Sequence, residues 1–190
     1  MAPYMRKFML IAHITFSVGW LGAVVAYLSL AITGIDSQDT RMIKVVYPVL
    51  ELVGWSVIVP AALAALITGL IQSLFSQWGL FRFYWVLVKF ILTFGASIIL
   101  VNHMPVVRRM AKMVAGGKLA GPDFNMLRVQ LLVHAADGLL ILIITTVLSV
   151  YKPWGKIMKS RGLYLLLGFT GVLFLFIILH LIGGGMSSHH

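Results

Sequence analysis

The chain has no cysteine in its 190 residues. That absence removes disulfides, iron–sulfur clusters and thiolate ligation of haem, and it leaves His, Met and carboxylates as the possible metal ligands. Charge is scarce too: Asp, Glu, Lys and Arg together make up 11% of the residues, and Asp plus Glu number 5. With 61% hydrophobic residues and a mean hydropathy of +1.01, too little polar surface remains to coat a water-soluble domain of this length.

What the chain has instead is long apolar runs. Residues 8–33, 46–75, 83–104, 127–151 and 163–184 each reach or exceed the roughly 20 residues that cross a bilayer as a helix. The expected fold is therefore all-α: one transmembrane domain over residues 1–190, an integral bundle of five transmembrane helices, multi-pass in the cell membrane, expected to be a bacterial cytoplasmic membrane. Arg6 and Lys7 precede the first run as in a signal peptide, but the run is too long and lacks a small-x-small cleavage site, so it reads as a retained helix.

The net charge is +10. Its basic residues sit beside the apolar runs, as in Arg108-Arg109-x-x-Lys112 and Lys152 to Arg161, which points to anionic lipid headgroups and away from nucleic acid. A first face, holding the amino terminus, carries Arg6, Lys7, Arg82, Lys152, Lys156, Lys159 and Arg161; a second face carries Arg41, Lys44, Arg108, Arg109, Lys112, Lys118 and Arg128. The positive-inside count is tied. Asp36, Asp39 and Asp123 fall on the second face and favour an inside amino terminus. The connections are expected near 34–45, 76–82, 105–126 and 152–162. The glycine-rich stretch Ala115 to Pro122 has turn chemistry without the strand-to-helix setting of a phosphate loop. Pro60, inside the second run, removes one helical hydrogen bond and predicts a bend there.

An ionisable side chain at bilayer depth costs about 2.5 kcal/mol or more, so His13, Glu51, Lys89, His134 and Asp137 each require a partner, a ligand or a cavity. His13, Ser17 and Trp20 form one helical stripe, and Gly19 and Gly22 permit close approach of another helix. Lys89 and His103 are about four turns apart and share a face. His134 and Asp137 stand at i and i+3, able to interact or to serve one pocket. Glu51 has Trp55 one turn on, and His180 lies near the end of the fifth run. The bland alternatives are an imidazole bonded within the bundle, a lysine that snorkels to the interface, and an ordinary intrahelical His–Asp pair.

Taken together, His13-Ile14 with Trp20, Trp85 with Lys89, His103, and Lys152-Pro153 give the chain, over about residues 6–154, a pattern that resembles the haem-binding membrane protoporphyrinogen oxidases and the related copper-resistance protein D membrane domains. The resemblance implies that His13 and Lys89 are tied to haem and to function. The chain departs from the oxidases where Val129-Gln130-Leu131-Leu132-Val133-His134 follows Arg128 in place of an Arg-x-x-Asn-Glu type of stretch, and in its fifth run. That layout also resembles a five-helix bacterial membrane family.

Depth weighs the possible ligand pairs. His13 enters from the first face and His134 from the second, leaving roughly 20 Å between them along straight helices. The expected iron ligand is therefore His134, paired with His103 or His180, with His13 at a second site or on a proton route; Trp20, bland packing when taken alone, counts with these histidines among the expected cofactor-binding residues. The expected function is binding of haem b for membrane electron transfer or oxidation of a small substrate, with a redox partner or small-molecule substrate. Lys89, Glu51 or Asp137 would relay protons or meet a haem propionate. A rival expectation is copper, because Met104, Met110, Met113, Met126 and Met186 give soft donors near histidines, with His103 and Met104 foremost. A third is a non-catalytic membrane sensor or subunit.

Overall fold

In a computed structural model that describes residues 2–75 and 80–153, the chain is helical throughout, with no β-strand among the described residues. Helix α1 runs Pro3–Asp36, α2 Thr40–Val53, α3 Val59–Phe75, α4 Tyr84–Ala115 and α5 Pro122–Tyr151. A π-helical turn, Gly54–Ile58, joins α2 to α3 without a break, so 40–75 is one span. Four helices are thus long and apolar enough to cross a membrane. The expected fifth run, 163–184, lies outside the described residues, as does His180.

Local chemistry accounts for the boundaries. Pro3 and Pro122 occupy first-turn positions, where a missing N–H costs nothing. Asp39 caps α2 by accepting from the Arg41 amide at 2.9 Å. Between α1 and α2 the chain leaves helix only at 37–39, a far tighter connection than the expected 34–45. The expected loop at 105–126 is corrected more heavily: α4 continues through Pro105 to Ala115, and only 116–121 is non-helical. Val107, Met110, Ala111 and Val114 are buried at i, i+3, i+4 and i+7 while Arg108, Arg109 and Lys112 are exposed, which is the pattern of an amphipathic helix emerging from the bilayer. Gly117 and Gly121 then supply the positive φ values, 75° and 111°, that close the turn.

Just upstream of Pro60, where a bend is expected, the helix carries the π turn. The π turn bonds the Val59 amide to the Gly54 carbonyl, five residues back, next to the carbonyls that Pro60 cannot serve. Gly54 also provides a seat for a neighbouring helix: a Cβ there would lie 2.7 Å from Met104 Cε.

Helix α1 packs on α3 and α5, while α4 packs on α5 and α2. Trp20, Val24, Tyr27 and Ala31 of α1 enter a core with Tyr47, Leu50, Met104, Met110 and Leu131. Gly19 and Gly22 lie off this stripe, and a Cβ at either meets nothing within 4 Å among the described residues, so no described helix makes the close approach expected of them. Apolar burial contributes little to helix association in lipid, so packing and polar clasps carry more of the weight. The strongest clasp is Arg128 of α5, which donates to the carbonyls of Gly34 and Ile35 at the end of α1 and to Tyr47 Oη of α2, the latter at 3.0 Å. Gly34 lets the tyrosine in, since a Cβ would sit 3.0 Å from that hydroxyl. The Arg128 guanidinium stacks 5.2 Å over Phe124, whose edge meets Tyr47.

Candidate functional site

The bundle holds two internal spaces at different depths, and they divide the sequence-derived residues between them. Toward the first face, a cavity of about 730 Å³ opens between the start of α1, the end of α3, the start of α4 and the end of α5. Its walls carry His13, Lys89, Trp85, Arg6, Lys7 and Lys152, together with Gln72, Ser73 and Thr93, and no carboxylate is among the lining residues. Nearer the second face, about 70 Å³ is enclosed by the four described spans, with Trp20, Tyr27, His103, Met104 and His134 on its walls.

His13 is held with a defined tautomer. Its Nδ1 lies 3.0 Å from the Ala65 carbonyl and 3.3 Å from Thr68 Oγ1. A carbonyl only accepts, so Nδ1 carries the proton and Nε2 is the acceptor nitrogen of the neutral ring. The Thr68 hydroxyl spends its own proton on the Ala64 carbonyl at 2.6 Å, which leaves its oxygen able to receive from His13. The ring lies against Gly69, where a Cβ would come within 2.8 Å of Cε1. One backbone acceptor, one hydroxyl and one glycine on a single α3 face thus fix the imidazole. This is the outer support found behind histidines that ligate metals, where the distal N–H is tied to a carbonyl.

His134 is fixed similarly, with Nδ1 donating to the Gln130 carbonyl at 2.8 Å in its own helix. Its ring stacks on that of His103, centroids 3.9 Å apart and planes 9° from parallel. The pair expected to clasp one iron is therefore face to face, with no room for a macrocycle between the rings. The enclosed space is also far below the 300–1,000 Å³ that hold ligands of that size. Beside the pair, the Tyr27 hydroxyl is buried and has no hydrogen-bond partner among the described residues.

No family model, curated protein or solved structure matches the chain.

The remaining expected residues scatter. Trp20 belongs to the small space and not with His13. Lys89 and His103 share a helix but open onto different cavities, so the internal surface expected to join them is divided. Glu51 sits near the second face, where it accepts from Arg108 Nε at 3.2 Å while that guanidinium lies 5.4 Å over Trp55; it is remote from the Lys89 cavity. Asp137 is half-buried on α5 and lines neither space. Of the methionines, Met104 lines the histidine space, Met110 is core, Met113 borders a surface cleft and Met126 is exposed; Met186 lies outside the described residues. Among the described residues no three His, Asp or Glu side chains gather as a metal site. Sequence reasoning missed the Ala65–Thr68–Gly69 seat. Its only signal was a small-residue face on α3, which in a membrane helix first suggests helix packing.

Proposed function

We propose that the protein is a haem b-binding membrane protein whose prosthetic group lies in the first-face cavity with His13 as the axial ligand. The observation that carries this reading is the fixed tautomer of His13: an Nδ1–H tied to Ala65, and hence an acceptor Nε2, on the wall of a cavity of about 730 Å³. The volume falls within the range of cofactor-sized pockets. An apolar ring with carboxylate arms matches walls that combine Trp85, Val86 and Phe90 with Lys89, Arg6, Lys7 and Lys152. Lys89 is the deepest of these cations, and a carboxylate offsets the cost of holding an ammonium at that depth. The resemblance at His13 and Lys89 points the same way. Bound there, haem would supply one-electron chemistry for electron transfer or oxidation of a small substrate, while the chain sets access and polarity around it. Thr68 and Gly69 hold the imidazole plane, and the lysines and arginine orient the anionic edge.

The test is the absorption spectrum and metal content of the purified full-length protein. A Soret band is expected, lost or shifted to a high-spin form in His13→Ala and kept in His134→Ala. A Soret band unaffected by His13→Ala, or lost only in His134→Ala, removes His13 as the ligand.

A second reading has one observation in its favour. Met104 is the sole methionine on the walls that also carry His103 and His134, a donor set suited to Cu(I). Copper at one per chain, without a Soret band and removed by His103→Ala with Met104→Leu, would establish that reading in place of haem.

A further inference from the structure

A third concavity lies outside both internal spaces. It is a surface cleft of about 470 Å³ where the emerging end of α4 passes the π turn, bordered by Trp55, Pro105, Arg108, Arg109, Lys112 and Lys118.

Its level in the bilayer follows from helix length. About 20 residues at 1.5 Å each cover the roughly 30 Å hydrocarbon core. Counting from Trp85 at the first interface, α4 reaches the second near Pro105; counting back from Phe75, the second span reaches it near Trp55. Trp55 and Pro105 therefore stand together at the boundary, with a tryptophan where aromatic belts form. The guanidinium and ammonium groups of Arg109, Lys112 and Lys118 lie above them, in the headgroup layer.

The cleft is thus built in two storeys, an apolar sill of Trp55, Pro105 and Met113 and a cationic rim. Four cations border it and no carboxylate does; Glu51, just beyond, engages Arg108. No hydrogen bond or ion pair within the described residues engages the side chains of Arg109, Lys112 or Lys118. Arg108 is engaged by both Glu51 and Trp55, which leaves the other three charges to a ligand.

We infer that this cleft is a binding site for an anionic phospholipid, its phosphate held by Arg109, Lys112 and Lys118 and its glycerol and upper acyl carbons lying on Trp55 and Pro105. A free phosphate would use the rim and leave the sill unused. A zwitterionic lipid would use the sill and place its own ammonium against the rim.

The experiment is native mass spectrometry of the full-length protein in detergent, titrated with phosphatidylglycerol or phosphatidylcholine, and with inorganic phosphate as competitor. Phosphatidylglycerol is expected to bind preferentially. A basic residue near an anionic surface contributes about 1 kcal/mol, about fivefold in affinity. The variant R109Q/K112Q/K118Q should therefore weaken binding by at least about tenfold. R41Q/K44Q, which removes two exposed charges from the same face away from the cleft, should change it by less than about twofold. A thermal melt accompanies each variant; if the triple variant melts early, R109Q alone, at an exposed position, carries the same comparison. Equal binding of the two lipids, or equal losses from the two variants, overturns the inference, because the charge then acts diffusely. Displacement of the lipid by millimolar phosphate overturns it too and assigns the rim to free phosphate.

Discussion

At the residue scale, the informative contact is the one between His13 and Gly69. The imidazole lies so close to the α3 backbone that even a methyl group would meet Cε1 at 2.8 Å. The ring is anchored by Nδ1, so it has little freedom to retreat. Gly69→Ala should raise the intrinsic helix propensity of α3 by about 1 kcal/mol and yet lower stability or tilt the imidazole, because the steric cost exceeds that gain. The measurement is a thermal melt together with any Soret spectrum. A melt raised by the substitution, with the spectrum unchanged, would show that the His13 seat is slack. Arg128 makes the second residue-scale case. It serves two carbonyls and a phenol at once, and Arg128→Met should cost about 2–4 kcal/mol, since hydrogen bonds from a charged donor contribute about 1.5–3 kcal/mol and α1 would keep unserved carbonyls at its end. A melt within 1 °C of the parent protein would count against the clasp.

At the element scale, the π turn and Met104 are complementary. Gly54 leaves the space that Met104 fills, so Gly54→Leu should destabilise by about 1–3 kcal/mol through overpacking, and Met104→Ala in the same chain should recover part of the loss. Additive losses in the double variant would mean that the two side chains do not compete for one space. Legibility differs sharply by element. The four described spans were readable because about 20 apolar residues have few other uses, and the Pro60 irregularity because a missing N–H has a fixed consequence. The last three turns of α4 were not, because their pattern changes from uniformly apolar to amphipathic at Pro105, and a proline beside charges reads as an end. The sites were half legible. His13 and Lys89 could be singled out as ionisable groups at depth, and the separation of His13 from His134 followed from counting residues along straight helices, whereas the separation of Lys89 from His103 did not. The ring stacking of His103 on His134 could not be read, since it depends on the rotation of α4 against α5. Nor could the placement of Trp20, because a stripe on α1 does not say where along the bundle each neighbour gives way to a cavity.

At the scale of the whole molecule, four described spans put Ala2, the 80–83 turn and Lys152 on one side of the membrane and 37–39 and 116–121 on the other. The absence of native cysteine makes this directly testable, because a single introduced thiol is the only one in the chain. Cysteine at Ala2 or Phe81 should react with an impermeant maleimide from one side, and cysteine at Ser37 or Lys118 from the other. Labelling of Ser37→Cys and Phe81→Cys from the same side would break the topology. The Arg128 clasp has a mechanical consequence at this scale. It pins α5 to α1 and α2 at the second face, whereas at the first face the helices stand apart around the large cavity. Helix α1, about 50 Å long, is therefore a lever with its fulcrum at Arg128. A tilt of about 5° about that fulcrum would carry His13, about 33 Å along the arm, through roughly 3 Å and part its Nδ1 from the Ala65 carbonyl, so the bond that orients the imidazole is also the latch on the lever.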